Sequence, residues 1–290
     1  MSKGRSVPSF CVDGSSSLRK GDARVSEFGF GNEGEGGSPS GFPFRIALHE
    51  EVASTNDEVK RALEAGEPEG LVVRALRQVS GYGRQGRSWT SPEGGLYCSL
   101  LLRPQVAPRE LPTLSLVVGM AVRRALVELA GVAAAETVRI KWPNDVVCEQ
   151  GKLCGISLEA HGGGVCVGVG VNVLPPAVRP DVGGKNRPAY VSDLAESSAA
   201  PGIAVEAVLD AFLEAFATLY CAWQRDGFAS LVDEFNTHAS LNGQDVRMVD
   251  RADNLLAEGS VVRVDTQGRL VLRTEAGVET AVSSGEAHLV

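Results

Sequence analysis

The chain has 290 residues, 43% of them hydrophobic, and a formal net charge of −8. That length suits one large domain plus a small one. The acidic balance excludes a general nucleic-acid binder, whose footprint is basic, and no window approaches the roughly 20 apolar residues of a membrane-spanning helix. The six cysteines, at 11, 98, 148, 154, 166 and 221, form no CxxC pair, and no histidine is placed to complete a zinc site. They read as reduced thiols in a reducing compartment, with Cys98, Cys154 and Cys166 acting as small hydrophobes in apolar runs.

Residues 1–43 read as a disordered tail. Ser15–Ser17 and the run from Asn32 to Gly41 are rich in Gly and Ser with few large apolar side chains, too few to offset the entropy of ordering. Lys3 and Arg5 precede the first acid, Asp13, as in a targeting peptide, but more acids follow and there is no apolar secretory core. Order begins with a strand over 42–48 (FPFRIAL), followed by Ser54-Thr55-Asn56-Asp57-Glu58. Thr55 and Glu58 have the capping-box spacing, and Val59, Ala62 and Leu63 share one face before Gly66, which predicts a helix over 56–65. Ser54 and Thr55 either only cap that helix or also offer hydroxyls and N–H groups to a polar ligand at its start.

A short strand, 71–75, leads into Gln78–Trp89, QVSGYGRQGRSW, where Gly81, Gly83 and Gly86 are interleaved with Arg84 and Arg87. Glycine lets a backbone approach a ligand closely, the N–H groups of such a loop can converge on an anion, and arginine adds a cationic fork for carboxylate or phosphate. The segment is either a mobile surface turn or a wrap for something small and negative, loose until that ligand binds. It lacks the Lys-Ser/Thr of a P-loop and the downstream acid of a dinucleotide fingerprint.

A buried strand over 95–102 and a helix over 110–130, closed by Gly131, come next, then a strand over 138–142. That strand runs into Lys141-Trp142-Pro143-Asn144-Asp145, a turn signature that also sets an amide and a carboxylate at a strand end. A hairpin follows, with arms 152–160 and 165–173 joined at His161–Gly164. Lys152 opens the first arm, as a solvated residue does, and Gly155 leaves room for a close neighbour. Gly168 and Gly170 ahead of Asn172 suggest a flat ligand lying against the sheet. Helices over 203–223 and 228–237 precede an all-β segment that reads as a small SH3-like barrel. The middle of the chain is α+β, with strands in hairpins as well as between helices.

Taken in this order, GYGRQGRSW (81–89), KWPNDV (141–146), KLCGISLE (152–159) and GVGVNV (168–173) resemble the biotin protein ligase family. Its members read GRGRxGRxW, KWPND, KxxGIL and GxGxN at these places, and the resemblance covers roughly 45–290. It implies a mixed-sheet, class II synthetase-like catalytic domain flanked by helices over 44–238, and a small C-terminal SH3-like β-barrel over 239–290. It implies ATP with Mg2+ and biotin as a substrate, joined as biotinyl-5′-AMP before biotin passes to one lysine of a biotin carboxyl carrier domain. Residues 1–43 are too short and Gly/Ser-rich for the winged helix of the family's repressors, so no DNA binding is expected. A cytoplasmic location is expected, organellar targeting and a homodimer being left open.

By the same resemblance, Lys152, Arg84, Arg87 and Asp145 are the catalytic candidates. Ser54, Thr55, Asn56, Gln78, Gly81, Tyr82, Gly83 and Gly155 join Arg84 and Lys152 around biotin. Trp89, Lys141, Asn144, Asn172 and Tyr190 join Arg84, Arg87 and Lys152 around ATP, with no metal site of the protein's own. Tyr82 departs from the family's arginine, so that position acts either through its backbone or through a different side-chain role. The alternatives are a lipoate ligase or octanoyltransferase of the same fold, and a biotin- or nucleotide-binding module without chemistry.

Overall fold

The computed structural model describes residues 24–27, 42–179, 187–194 and 203–290. Strands β1 (Arg24–Glu27), β2 (Arg45–Val52), β3 (Leu71–Gln78), β4 (Leu96–Leu102), β5 (Arg139–Lys141), β6 (Asp145–Cys148), β7 (Gly151–His161) and β8 (Gly164–Val171) form one eight-stranded sheet. Its order is β1-β2-β3-β4-β8-β7-β6-β5. Only β2 and β3 pair in parallel among these neighbours, as their helical crossover α1 (Thr55–Glu64) requires. Within the stretch expected to be an unstructured tail, Arg24–Glu27 lies antiparallel on β2; the rest of that expectation, up to residue 41, falls outside the described residues.

Period-two alternation decides which side of the sheet does what. Leu96, Cys98, Leu100 and Leu102 of β4 and Val165, Val167, Val169 and Val171 of β8 join one core with α2 (Leu114–Ala130) and α4 (Val205–Asp226). The intervening residues face α1, whose Val59 and Leu63 pack with Val73, Leu101 and Cys166 in a second, smaller cluster. Being only 10 residues long, α1 cannot cover its whole face of the sheet. The uncovered part carries Ser157, Gly155, Gly168 and Gly170, and it is the floor of the site described below, while Ser99 is buried beneath Thr55 and Asn56. Cys98, Cys154 and Cys166 are buried, as read from their apolar runs.

Several boundaries differ from expectation for local reasons. Pro112 holds 108–113 in a 3-10 turn, so α2 starts at Leu114 rather than near 110. Gly131, at φ 86°, ends α2, but a short helix α3 (Val132–Thr137) follows it before β5. The segment read as a strand end and turn is the tip of a hairpin, with β6 returning from it to pair with β5 and β7. Beyond α4, residues 228–230 form a 3-10 turn before α5 (Val232–His238).

The last part of the chain is a five-stranded antiparallel sheet of β9 (Asp245–Val249), β10 (Leu255–Val264), β11 (Leu270–Arg273), β12 (Glu279–Val282) and β13 (Glu286–Leu289). It is bonded to the larger domain. The Trp142 indole donates to the Gly268 carbonyl at 2.9 Å, and Asn236 of α5 exchanges two hydrogen bonds with Val264.

Candidate active site

A cavity of about 690 Å³ opens on the α1 face of the sheet. Its deep end is polar because helix α1 begins there. Ser54 caps α1, accepting from the Asn56 N–H, and it is buried beneath the cavity rather than lining it. The two readings of the Ser-Thr pair therefore separate by residue, Ser54 capping and Thr55 facing the cavity. Gln78, at the end of β3, accepts from the Thr55 N–H at 2.8 Å and from its hydroxyl at 3.2 Å, and donates to Ser91 at 2.9 Å. Ser99 donates to Asn56 Oδ1 at 2.7 Å and lies 2.7 Å from the Thr55 hydroxyl. The Asn56 amide donates to Ser157 Oγ at 3.1 Å. Hydroxyls and amides so arranged hold a small polar, hydrogen-bonding group and do not suit a bare alkyl chain.

Gln78 holds this end in place, and its loss would leave the Thr55 N–H without its acceptor. We expect Gln78→Ala to raise the KM for a ligand seated there by roughly tenfold, since a stranded buried donor costs about 1–3 kcal/mol. Steady-state titration of that ligand checks it, and an unchanged KM refutes it.

The mouth is cationic. Lys152 Nζ lies 2.7 Å from Asp145 Oδ1, yet that oxygen has no well-angled hydrogen bond. The two touch as an ion pair in the wall of the cavity. Arg84 donates to Asn144 Oδ1 at 3.0 Å, and burial draws its guanidinium below its ordinary pKa while the charge of Asp145 opposes the shift. Asn144 is fixed in turn, donating to the Ile156 carbonyl at 2.8 Å. Arg87 pairs with Glu286 of β13, which lines the cavity together with Ala287.

The glycine-rich segment is not slack. It is a small hairpin, with Tyr82 bridging Ser88, Trp89 N–H bonded to the Gly81 carbonyl at 2.8 Å, and Gln85 and Gly86 at positive φ on its tip. Gly81 does not line the cavity. A Cβ there would lie 2.7 Å from the Trp89 carbonyl, so it is the close contact at the hairpin's base that demands glycine. Tyr82 points its phenol toward α1, donating to Asp57 at 2.7 Å and accepting from Lys60 at 2.8 Å.

The glycines of β7 and β8 also serve the protein's own side chains. Gly155 and Gly170 are cross-strand partners, and a Cβ on either would meet the Trp89 ring at 2.8 or 2.7 Å. The surface read as a bed for a flat ligand thus holds the Trp89 indole, while the space over Gly168 holds Asn56 and Ser157. Lys152 Nζ sits 5.3 Å from the Trp89 ring centroid, within cation–π range. The indole Nε1 is buried against Gly170 and has no acceptor among the described residues.

Thr55, Asn56, Gln78, Tyr82, Gly83, Arg84, Arg87, Trp89, Lys141, Asn144, Asp145, Lys152, Gly155, Asn172 and Tyr190 all line this one cavity. Asn172 is tied back to the Lys152 carbonyl at 3.0 Å, steadying the start of β7. Tyr190 is nearly buried, and Arg179, itself paired with Asp193, lies over its ring at 5.1 Å. Arg179 thus holds the ring while Tyr190 still lines the cavity. Leu174, Pro176, Val178 and Pro188 line the outer cavity, and residues 180–186 of the same connection fall outside the described residues. Sequence reasoning missed Ser99, which is buried beneath Thr55 and Asn56, and Ser157, Glu286 and Ala287 of the lining. A serine interrupting an apolar strand on the glycine face was the available signal for the first two; the others depend on how the C-terminal sheet docks.

The family model of the biotin/lipoate A/B protein ligase family matches residues 49–174, and that of the biotin protein ligase C-terminal domain matches 242–290. A biotin–[acetyl-CoA-carboxylase] ligase of Paracoccus denitrificans is 34% identical over 77% of this chain and 92% of its own length. The bifunctional ligase/repressor BirA of Bacillus subtilis is 30% identical over 82% of this chain and 72% of its own. Among solved structures, the biotin protein ligase of Aquifex aeolicus in complex with biotin and ATP superposes with a TM-score of 0.71 at 27% identity, covering 84% of this chain and 98% of that one. The cavity, its cationic hairpin and the docked C-terminal sheet are thus those of a member of the biotin protein ligase family, to which this chain belongs.

Proposed function

We infer that this chain is an ATP-dependent biotin–protein ligase, which joins biotin to AMP and then to a lysine of a carrier domain. The observation that carries the reading is the meeting of a polar deep end (Thr55, Asn56, Gln78) with a cationic mouth (Lys152, Arg84) in one cavity. Biotin's ureido ring would bond to the deep end, directing its carboxylate toward Lys152. The Arg84 fork would receive the α-phosphate. In the first step a carboxylate oxygen bonds to the α-phosphorus and pyrophosphate leaves. Both partners are anions, so fixed cations and oriented donors lower the barrier by offsetting their repulsion.

In the second step the acceptor's amine attacks the acyl carbon and AMP leaves with the bonding pair. A lysine is protonated at neutral pH, and Asp145, held beside Lys152, is the carboxylate placed to take its proton. Among the described residues no group of three or more His, Cys, Asp or Glu could hold a metal. The residues suit Mg2+ arriving with the nucleotide's phosphates, where it would neutralise charge, with Asp145, Asn144 and Asn172 as nearby oxygen ligands. The acceptor we propose is a biotin carboxyl carrier domain, and the compartment the cytoplasm, where buried thiols such as Cys98 stay reduced. No described helix is long and apolar enough to cross a membrane.

The test is incubation with labelled biotin and MgATP before any acceptor is added. Biotinyl-5′-AMP and pyrophosphate are expected, followed by labelling of a carrier-domain lysine. Lipoate should not compete for adenylate formation. Equal use of lipoate, or tight binding of biotin and ATP with no adenylate, would overturn the reading.

A further inference from the structure

We propose that Tyr82 is a latch: its phenol docks the glycine-rich hairpin on α1 through Asp57 and Lys60, folding the loop before biotin binds and so setting biotin affinity. The proposal rests on the ligase reading of the same cavity. A hairpin this short is not stable alone, so something outside it must hold it folded. Its base is secured by Gly81 and Trp89. Above the base, three side chains tie it down, on three different bodies: Tyr82 on α1, Arg84 on the turn between β5 and β6, and Arg87 on β13.

The last two are cations facing the cavity mouth, and substrate anions would draw them away from their protein partners. Tyr82 is the tie that substrate need not break. Its hydroxyl donates to Asp57 and accepts from Lys60, while its ring lines the cavity. Lys60 lies 5.2 Å from the ring centroid and also pairs with Glu159, whose other oxygen accepts from Asn56 at 3.4 Å. The latch is therefore continuous with the polar deep end of the site. Burial pushes the phenol above its ordinary pKa, so it keeps the proton it donates. An arginine here would supply charge; this tyrosine supplies position.

A loop folded in advance spares the ligand the entropy of ordering it. Removing the hydroxyl should weaken biotin binding and leave the chemical step nearly untouched. We expect Tyr82→Phe to raise the KM for biotin roughly tenfold, the scale of one hydrogen bond to a charged group, with kcat within about twofold. Asp57→Ala, which removes the acceptor, should raise it comparably, and the double variant should be no worse than the weaker-binding single one, because both break the same contact. Trypsin, which cuts after arginine, should cleave at Arg84 and Arg87 several times faster in Tyr82→Phe than in wild type, and saturating biotin should remove the difference. An unchanged KM, effects of the two substitutions that multiply, or equal cleavage rates would overturn the latch. The two proposals fail separately. Absence of biotinyl-5′-AMP from the wild-type protein sinks the ligase reading, whereas an unaltered Tyr82→Phe sinks only this one.

Discussion

Lys152→Ala should reduce biotinyl-5′-AMP formation by about a thousandfold or more, the upper range for removing one preorganised electrostatic contact. Its ammonium is the cation that touches Asp145 and overlies Trp89, and it projects from the first residues of β7 beside Gly155. Truncation removes one positive charge and leaves the Asp145 carboxylate without its cation as two anions approach, so their repulsion is less well offset. Stability should shift by no more than about 1 kcal/mol, because the pair is partly exposed and weakly angled. Lys152→Arg should not restore activity. The planar guanidinium does not reproduce the compact ammonium point charge set between the Asp145 carboxylate and the Trp89 ring. Biotin-dependent pyrophosphate release measures both variants, and activity of Lys152→Ala within about tenfold of wild type would remove Lys152 from the first step.

Gly170→Val should lower adenylate formation by about a hundredfold through Trp89, a displacement of the kind that misplaces reacting groups by an ångström. The valine would enter space held by the indole, whose nearest atoms lie 2.7 Å from a Cβ at this position. Trp89 must then lift from the sheet and carry with it the ring that Lys152 overlies. Gly83→Ala is the control. Its φ of −111° suits any residue, and the nearest protein atom to its Cβ is 4.0 Å away, so Trp89 should keep its place and its emission. Tryptophan fluorescence reports the displacement, because of the three tryptophans Trp142 and Trp223 are buried in the core. The Gly170→Val emission should shift to the red. Unchanged emission with unchanged rate would refute the role given to Trp89.

Much of this site was legible because its residues lie in compact runs, each belonging to one local structure. The Gly/Arg run is one hairpin, the Trp-Pro-Asn-Asp run one turn, and the start of helix α1 one cap, so neighbours in sequence stayed neighbours in space. What sequence could not tell was which partner each residue faces. Glycine at 155 and 170 announces close approach but not by whom, and the visitor proved to be Trp89 from the loop. Loose glycines implied a loose loop, yet long-range ties from Tyr82, Arg84 and Arg87 fold it. The strand β6 escaped notice because its four residues follow directly on a turn. Tyr190 lines the cavity with Arg179 over its ring, a contact no local pattern encodes.

The bonding of Trp142 to Gly268 bears on any effort to shrink this protein into a labelling reagent. A version cut after α5 would strip the acceptor from that indole and the pairing from Asn236, and it would take away the carboxylate that meets Arg87. The turn carrying Asn144 and Asp145 would then hang from an unsupported tryptophan. A trimmed design has to graft equivalent carbonyls beneath that ring before anything else is removed.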